Sequence, residues 1–508
     1  MLARAHTFTI EGLDTRRVTV EVDVRAGLPA FTIVGLADAA VREARERVRT
    51  AILNSGYEFP GRRITANLAP ADVPKVGPGL DLALACGVLA ASGQLGPHLL
   101  DEHALFGELA LGGEVRSCHG ALAVAQSARE HGLRKLILAP SCAGEAALID
   151  RIEVAPAATL ASAVRVLRGG HADRPERRAP VARDPIRCRA PALDMADVRG
   201  QHHAVRALVI AAAGGHNSLL SGPPGTGKTM LAHRIATILP PLARAEAIEV
   251  ARVRSIMGRT PPKLASVRPF RAPHHSATAA GLIGGGRRGC VGEVVLAHNG
   301  VLFLDELSEF TRAALEALRQ PLEEGRIAIA RSGHAAVYPA RFMLVAATNP
   351  CPCGYAGEAD RCGCSEADLG RYRRRLSGPL VDRLDLFVQL TRGADAEPEP
   401  LTSSARAREQ VILARERQTV RLARDGIELN AHISAALLGG HVRLDEKSQE
   451  MMRRASGQGL LSARGEHRVL RVARTIADLR GSDRVSSRDV GAALALRPEA
   501  AVGARPTP

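Results

Sequence analysis

Residues 222–229 read Gly-Pro-Pro-Gly-Thr-Gly-Lys-Thr, a combination suited to holding a polyphosphate. Gly222, Gly225 and Gly227 let the backbone wrap so that its N–H groups face phosphate oxygens, with Pro223, Pro224 and Thr226 in the same loop. Lys228 is placed to reach the β- and γ-phosphates of ATP, and the Thr229 hydroxyl to bind Mg²⁺. Residues 219–221 end an expected strand and 230–239 continue as a helix, whose N-terminal dipole favours an anion. A purely structural glycine turn is the alternative, and the strand-before, helix-after context weighs against it.

A second apolar run, Val-Leu-Phe-Leu at 301–304, ends in the carboxylates Asp305 and Glu306. Asp305 is suited to the Mg²⁺ water shell and Glu306 to polarising an attacking water, although paired carboxylates at a strand end also cap helices. A third run, 344–349, ends in Asn349, whose amide can orient that water. Phosphoryl transfer depends on positioned charge more than on covalent chemistry, so arginines are wanted as well. Arg383 is the natural finger and Arg464, opening a late helix, a phosphate sensor. On spacing alone, a solvated or salt-bridged arginine is the stronger alternative for both.

Cys351, Cys353, Cys362 and Cys364 put four thiols in fourteen positions, a donor set for a closed tetrahedral Zn²⁺ site. One residue inside each pair is tighter than most structural zinc sites, and a reduced loop of small thiols is the alternative. A metal here would clip the segment between Asn349 and Arg383.

These groups need a scaffold, and the chain has the length for two or three domains at 508 residues. Residues 1–168 alternate strands and helices, with an alternating strand at 19–24 and helices at 39–55 and 81–92. Residues 169–193, rich in Pro, Arg, Gly and Asp, form a linker. Residues 194–395 follow the order of a parallel-sheet core, with buried strands at 301–306 and 342–349. Residues 396–500 are Ala-, Arg- and Leu-rich, with helical periodicity at 403–424, 445–456 and 464–479; a frayed tail follows. Residues 252–289 interrupt the core and include a basic Gly-rich loop at 284–288. Residues 326–341 read as two strands around Ser332-Gly333, a hairpin carrying Arg331 and His334 at its tip.

Composition narrows the classes: 46% hydrophobic and 24% charged residues describe a globular chain. Only 3% are aromatic and none is Trp, which counts against a nucleic-acid surface built on base stacking. The net charge of +15 points to a polyanionic partner, or else to solvated faces that drifted basic in an Arg-rich genome. No signal-peptide core and no membrane-length apolar run is present, so a soluble cytoplasmic protein without disulfides or membrane association is expected.

Longer stretches carry a family resemblance. They are 197–201 (DVRGQ), 211–217 (AAAGGHN), 268–275 (RPFRAPHH), 296–306 (LAHNGVLFLDE) and 349–354 (NPCPCG). The chain resembles AAA+ ATPases, specifically the Mg-chelatase-like YifB/ComM family, over nearly its whole length. The resemblance implies an α/β fold: an N-terminal ribosomal-S5/Lon-protease-like domain, an AAA+ P-loop parallel-sheet core with a helix-2 insert, and a C-terminal helical lid. It also implies a homo-hexameric ring with ATP between subunits, Asn349 as sensor 1 and Arg383 as a finger on the neighbour. Arg464 takes the sensor 2 position, with Arg468 and Arg471 as rivals. The hairpin residues Arg331 and His334 would face the pore and grip a DNA backbone. His274 and His275 sit in a loop and could be taken for metal ligands, but ring contacts or insert packing are the expected role.

In the first domain, residues 77–82 (GPGLDL) and 107–116 (GELALGGEVR) resemble the protease-like domain of Lon. A Ser–Lys protease needs both its nucleophile and its lysine. The resemblance places them at Gly79 and Leu122, neither of which can do the chemistry. Lys75 is nearby in sequence without a paired nucleophile.

A hexameric motor on single-stranded or branched DNA is the leading function, with branch migration in recombination and natural transformation implied by the ComM resemblance. A protein-remodelling or metal-chelatase-type motor is the alternative; the chain shows neither an integrin-like metal-binding domain nor an acidic Pro-rich linker. A scaffold without activity would need a defective nucleotide site, and every core element is present.

Overall fold

The computed structural model describes residues 1–36, 38–176, 193–258, 263–285, 290–331, 334–356, 360–376, 380–392, 402–458 and 461–497. Most of the expected linker, the basic end of the 284–288 loop, the hairpin turn at 332–333 and the tail lie outside them. The chain divides into two compact units. One comprises Met1–Arg187 with Ala243–Ala265 and Ala336–Tyr338; the other comprises Cys188–Leu242, Ser266–Ala335 and Pro339–Pro508.

The first unit is built on strands β1 (Leu2–Glu11), β2 (Asp14–Arg25), β3 (Ala30–Val34), β4 (Arg63–Ala69), β5 (His103–Phe106), β6 (Lys135–Leu138) and β7 (Glu153–Pro156). They form one mixed sheet in the order β3-β4-β2-β1-β5-β6-β7. Along β2, Val18, Val20, Val22 and Val24 point inward on alternate positions, as the period of two requires. The Ala39–Asn54 helix starts where the Asp38 carboxylate accepts the Val41 N–H at 2.8 Å. The Asp81–Ala91 helix is buried all round, its small side chains allowing close approach to the sheet. The Arg244–Ile256 helix also belongs to this unit, with Ala251 in the cluster around Phe8, Leu122 and Leu136.

The second unit holds strands β8 (Ser218–Ser221), β9 (Phe270–Arg271), β10 (Gly300–Leu304), β11 (Arg326–Arg331), β13 (Phe342–Thr348) and β14 (Leu386–Gln389), while β12 (His334–Pro339), the other strand of a two-stranded hairpin with β11, is divided, its Ala336–Tyr338 counted with the first unit. Five of them form a sheet in the order β9-β10-β13-β8-β14, and every pair in it is parallel. Both faces of a parallel sheet are covered, which is why Val301, Leu302, Phe303 and Leu304 are all buried rather than alternating. Truncating Phe303 to Ala would cost about 3–5 kcal/mol.

Residues 252–289 are not one continuous insertion. Phe270 and Arg271 pair in register with Val301 and Leu302 as the edge of the sheet. Two residues between prolines carry no readable period, so this strand was not predicted from the sequence.

The C-terminal part is helical: Ser404–Leu422, Glu446–Gly457, Ala463–Arg480 and Ser487–Ala495. A buried polar network holds the Ala463–Arg480 helix in place. Arg421 meets Asp478 through two N–H groups at 2.7 and 2.8 Å, Arg474 meets the same carboxylate at 3.0 Å, and Thr475 bonds His216 at 2.7 Å. Among the described residues no helix is long and apolar enough to cross a membrane.

Candidate active site

Parallel register brings the catalytic candidates to one edge of the sheet. Ser221, at the end of β8, lies beside Thr348, at the end of β13, so the phosphate loop and Asn349 leave neighbouring strands together. Ligands of open α/β sheets bind beyond these carboxyl ends. In the loop, Gly225 and Gly227 have φ of 80° and 87°, which would cost a side-chain-bearing residue about 1–2 kcal/mol. A Cβ on Gly222 would come within 2.6 Å of the Leu390 carbonyl oxygen. The Thr226 hydroxyl closes the turn by donating to the Pro223 carbonyl at 2.8 Å.

Lys228 opens the Lys228–Ile238 helix. Its ammonium donates to the carbonyls of Gly222 and Pro223 at 2.6 and 2.9 Å and to Asn349 Oδ1 at 3.1 Å. Burial pushes its pKa down, and the Asp305 carboxylate pulls it back. The Thr229 hydroxyl donates to Asp305 Oδ2 at 2.7 Å. A hydroxyl and a carboxylate oxygen so close together are the hard donors that Mg²⁺ takes.

Glu306 sits at φ 51°, a left-handed conformation rare outside glycine and typical of strained functional positions. Its carboxylate meets His275 Nδ1 at 2.9 Å, and the His275 ring stacks on His274 with centroids 4.0 Å apart. His275 was expected only in packing or ring contacts; the structure puts it on Glu306. Asn349 is held from behind: Tyr372 donates its hydroxyl to the Asn349 carbonyl at 2.9 Å, and also lies 3.0 Å from Thr348 Oγ1 and 3.2 Å from Ser308 Oγ. Sequence reasoning passed over Tyr372, although it is one of only four tyrosines.

Residues 194–397 match the magnesium chelatase ChlI subunit, residues 20–141 a further ChlI subunit domain, and residues 401–497 the ChlI C-terminal domain. Uncharacterized protein YifB of Salmonella typhimurium is 44% identical over 502 residues, 98% of this chain and 97% of the relative. Competence protein ComM of Haemophilus influenzae is 42% identical over 511 residues, again 98% of this chain and 97% of the relative. This chain belongs to the Mg-chelatase-like YifB/ComM family. A 99-residue stretch, 20% of this chain and 11% of the relative, is 32% identical to the DNA replication licensing factor Mcm6 of Drosophila melanogaster.

In this YifB/ComM-family chain the candidate arginines lie apart from the phosphate loop. Arg383, Arg464, Arg468 and Arg471 line one cavity with Glu323 and Asp382, and no phosphate-loop residue lines it. Arg383 is ion-paired to Glu323. Burial lowers Arg468 and Arg471, opposed by the Asp385 carboxylate, which lies 4.0 Å from Arg468 Nε. Arg464 therefore shares its cavity with both rivals. Arg331 and His334 end and begin the two hairpin strands, on either side of residues 332–333.

Gly79 and Leu122 of the first unit are both buried. A Cβ at Gly79 would fall 2.5 Å from the Phe106 ring, so an aromatic edge fills the space a serine side chain would need. Leu122 lies in the cluster around Phe8 and Phe106. Lys75 is buried and donates to the Pro70 carbonyl, and burial lowers its pKa.

The four thiols of Cys351, Cys353, Cys362 and Cys364 all lie within 4.8 Å of one another. Cys351 is buried and Cys353 exposed, with the other two between.

Proposed function

We propose that this protein is an ATPase that works as a homo-hexameric ring on DNA in the cytoplasm, driving branch migration in recombination and natural transformation. The separation of the arginine cavity from the phosphate loop is the observation that carries the ring. Each chain has the loop, Asp305, Glu306 and Asn349 at one place and Arg383 with its neighbours at another, so a complete site calls for a second copy. DNA as the substrate is supported by the competence protein among the relatives, the Mcm6 similarity and the net charge of +15.

In this mechanism the phosphate loop binds ATP through its N–H groups and the Lys228 ammonium. Thr229 and Asp305 would hold Mg²⁺, which would supply charge neutralisation for phosphoryl transfer. Glu306, braced by His275, polarises the water, and Asn349, fixed by Tyr372, orients it. Arg383 of one subunit meets the charge that develops on the neighbour's γ-phosphate, with Arg464, Arg468 or Arg471 as the phosphate sensor beside it. The hairpin carrying Arg331 and His334 tracks the DNA backbone, and the first unit acts as a binding or assembly module without proteolysis. The domain plan in this proposal is 1–168, linker 169–193, core 194–395 and lid 396–500.

ATP turnover measured with and without single-stranded and four-way-junction DNA tests this function. DNA should accelerate hydrolysis. Hydrolysis indifferent to every DNA favours the second reading, a protein-remodelling or metal-chelatase-type motor, which the match to the magnesium chelatase subunit supports.

A further inference from the structure

We propose that Cys351, Cys353, Cys362 and Cys364 bind one Zn²⁺ as four thiolates, and that this metal holds the loop carrying Asn349 against the phosphate loop. The coupling rests on the nucleotide site proposed above; the metal itself does not.

Four thiol sulfurs, all within 4.8 Å of one another, suit a closed tetrahedral site. A zinc ion about 2.3 Å from each sulfur sets the sulfurs about 3.8 Å apart. Cys351 and Cys362 are 3.9 Å apart, Cys353 and Cys362 3.7 Å, and Cys351 and Cys353 3.3 Å. A disulfide needs about 2.0 Å, and all four cysteines are free. The Ala356 N–H donates to Cys351 Sγ at 3.2 Å, the kind of outer hydrogen bond that stabilises a metal-bound thiolate. Gly354, at φ 87°, turns the chain directly after Cys353, its N–H donating to the Cys351 carbonyl at 3.0 Å. Binding releases the thiol protons to solvent and changes no oxidation state.

Three features tie this cluster to the nucleotide site. Cys351 follows Asn349 by two residues, so anchoring its sulfur limits where the amide can go. Gly354 packs against the phosphate loop, where a Cβ would lie 2.7 Å from Pro224 Cδ. Arg392 donates to the Pro224 carbonyl at 2.8 Å while its guanidinium lies over the Tyr355 ring at 5.3 Å, and Arg361, next to Cys362, lies over the same ring at 5.5 Å. Without a metal, the two cysteine pairs have no covalent link, and Gly354 and Tyr355 lose their anchor.

Mass-spectrometric metal analysis of the full chain, purified without chelator, should find one zinc per chain, and Cys353→Ser and Cys364→Ser should each lose most of it. Co²⁺ loaded in place of zinc should give thiolate-to-cobalt charge transfer in the near ultraviolet and tetrahedral bands in the red. A chain that carries no stoichiometric metal and shows neither cobalt signature overturns the site. For the coupling, chelator-stripped protein with unchanged circular dichroism should bind a fluorescent ATP analogue several-fold more weakly, and added Zn²⁺ should restore it. Unchanged affinity after stripping overturns the coupling while the metal count stands. A loaded protein that binds no analogue overturns the coupling through failure of the nucleotide site, again leaving the metal count to decide the site.

Discussion

Lys228 Nζ and Asn349 Oδ1, 121 positions apart in the chain, lie 3.1 Å from each other. Lys228 opens the helix that follows β8 and the phosphate loop, Asn349 directly follows β13, and the parallel register of those strands brings them together.

From this contact the two residues should fail differently when altered. Lys228→Ala removes a charge-assisted contact worth about 1.5–3 kcal/mol, roughly 10- to 100-fold in ATP affinity. Asn349→Ala should leave affinity near normal and lower kcat by about 100-fold, the usual loss when one polar group that positions reacting atoms is removed. Equilibrium binding beside steady-state hydrolysis separates the two; full activity of Lys228→Ala would contradict the nucleotide site.

His275 is expected to act through Glu306. Removing it in His275→Ala leaves the Glu306 carboxylate without its brace, so kcat should fall by up to about tenfold with ATP affinity unchanged. His275→Gln, which can still donate, should recover part of the rate. A change in affinity alone would point to packing.

Arg383 should work on a neighbour. Arg383→Ala and Glu306→Gln should each be nearly inactive by themselves. Mixed before assembly, they should regain activity, because some interfaces then pair an intact Glu306 with an intact Arg383. No recovery at any mixing ratio would place the arginine in its own chain's site.

Much of this site is legible before folding, for physical reasons that differ by element. Val301–Leu304 and Phe342–Thr348 announce themselves because a strand covered on both faces must be apolar throughout and turns polar where it reaches the site. The hairpin shows through its alternation and its Ser-Gly turn. Phe270–Arg271 does not, being too short to show a period. The inclusion of the Arg244–Ile256 helix in the first unit is also hidden, since its amphipathic pattern does not say which surface it covers. The His275–Glu306 contact depends on two loops meeting, and the Tyr372–Asn349 contact on the Glu366–Leu376 helix folding back 23 positions, neither of which a local pattern shows. The four cysteines were visible as a motif, but only the fold shows their sulfurs converging.

The first unit carries a pH dependence of its own. Burial raises Asp81 to about 6 from 3.8, outweighing the pull of Arg47, whose Nε lies 2.9 Å away. Between those values the folded state binds the extra proton. Stability is therefore full below about 4, falls as pH rises through about 6, and levels off above, by on the order of 3 kcal/mol from this group. Asp81→Asn carries a constant penalty at Arg47 and lacks this slope. Chemical unfolding of both proteins between pH 4 and 7.5 should show the variant gaining on the parent as pH rises; parallel curves would contradict it.

The central claim is that ATP hydrolysis at this site moves DNA. Its most direct measurement follows a labelled strand released from a mobile four-way junction, with ATP and Mg²⁺, by the parent protein and by Glu306→Gln. Release is expected with the parent protein and ATP, and should stop without ATP or with Glu306→Gln, which should still bind nucleotide. A parent protein that hydrolyses ATP yet leaves both single-stranded and branched substrates unmoved would contradict the DNA motor.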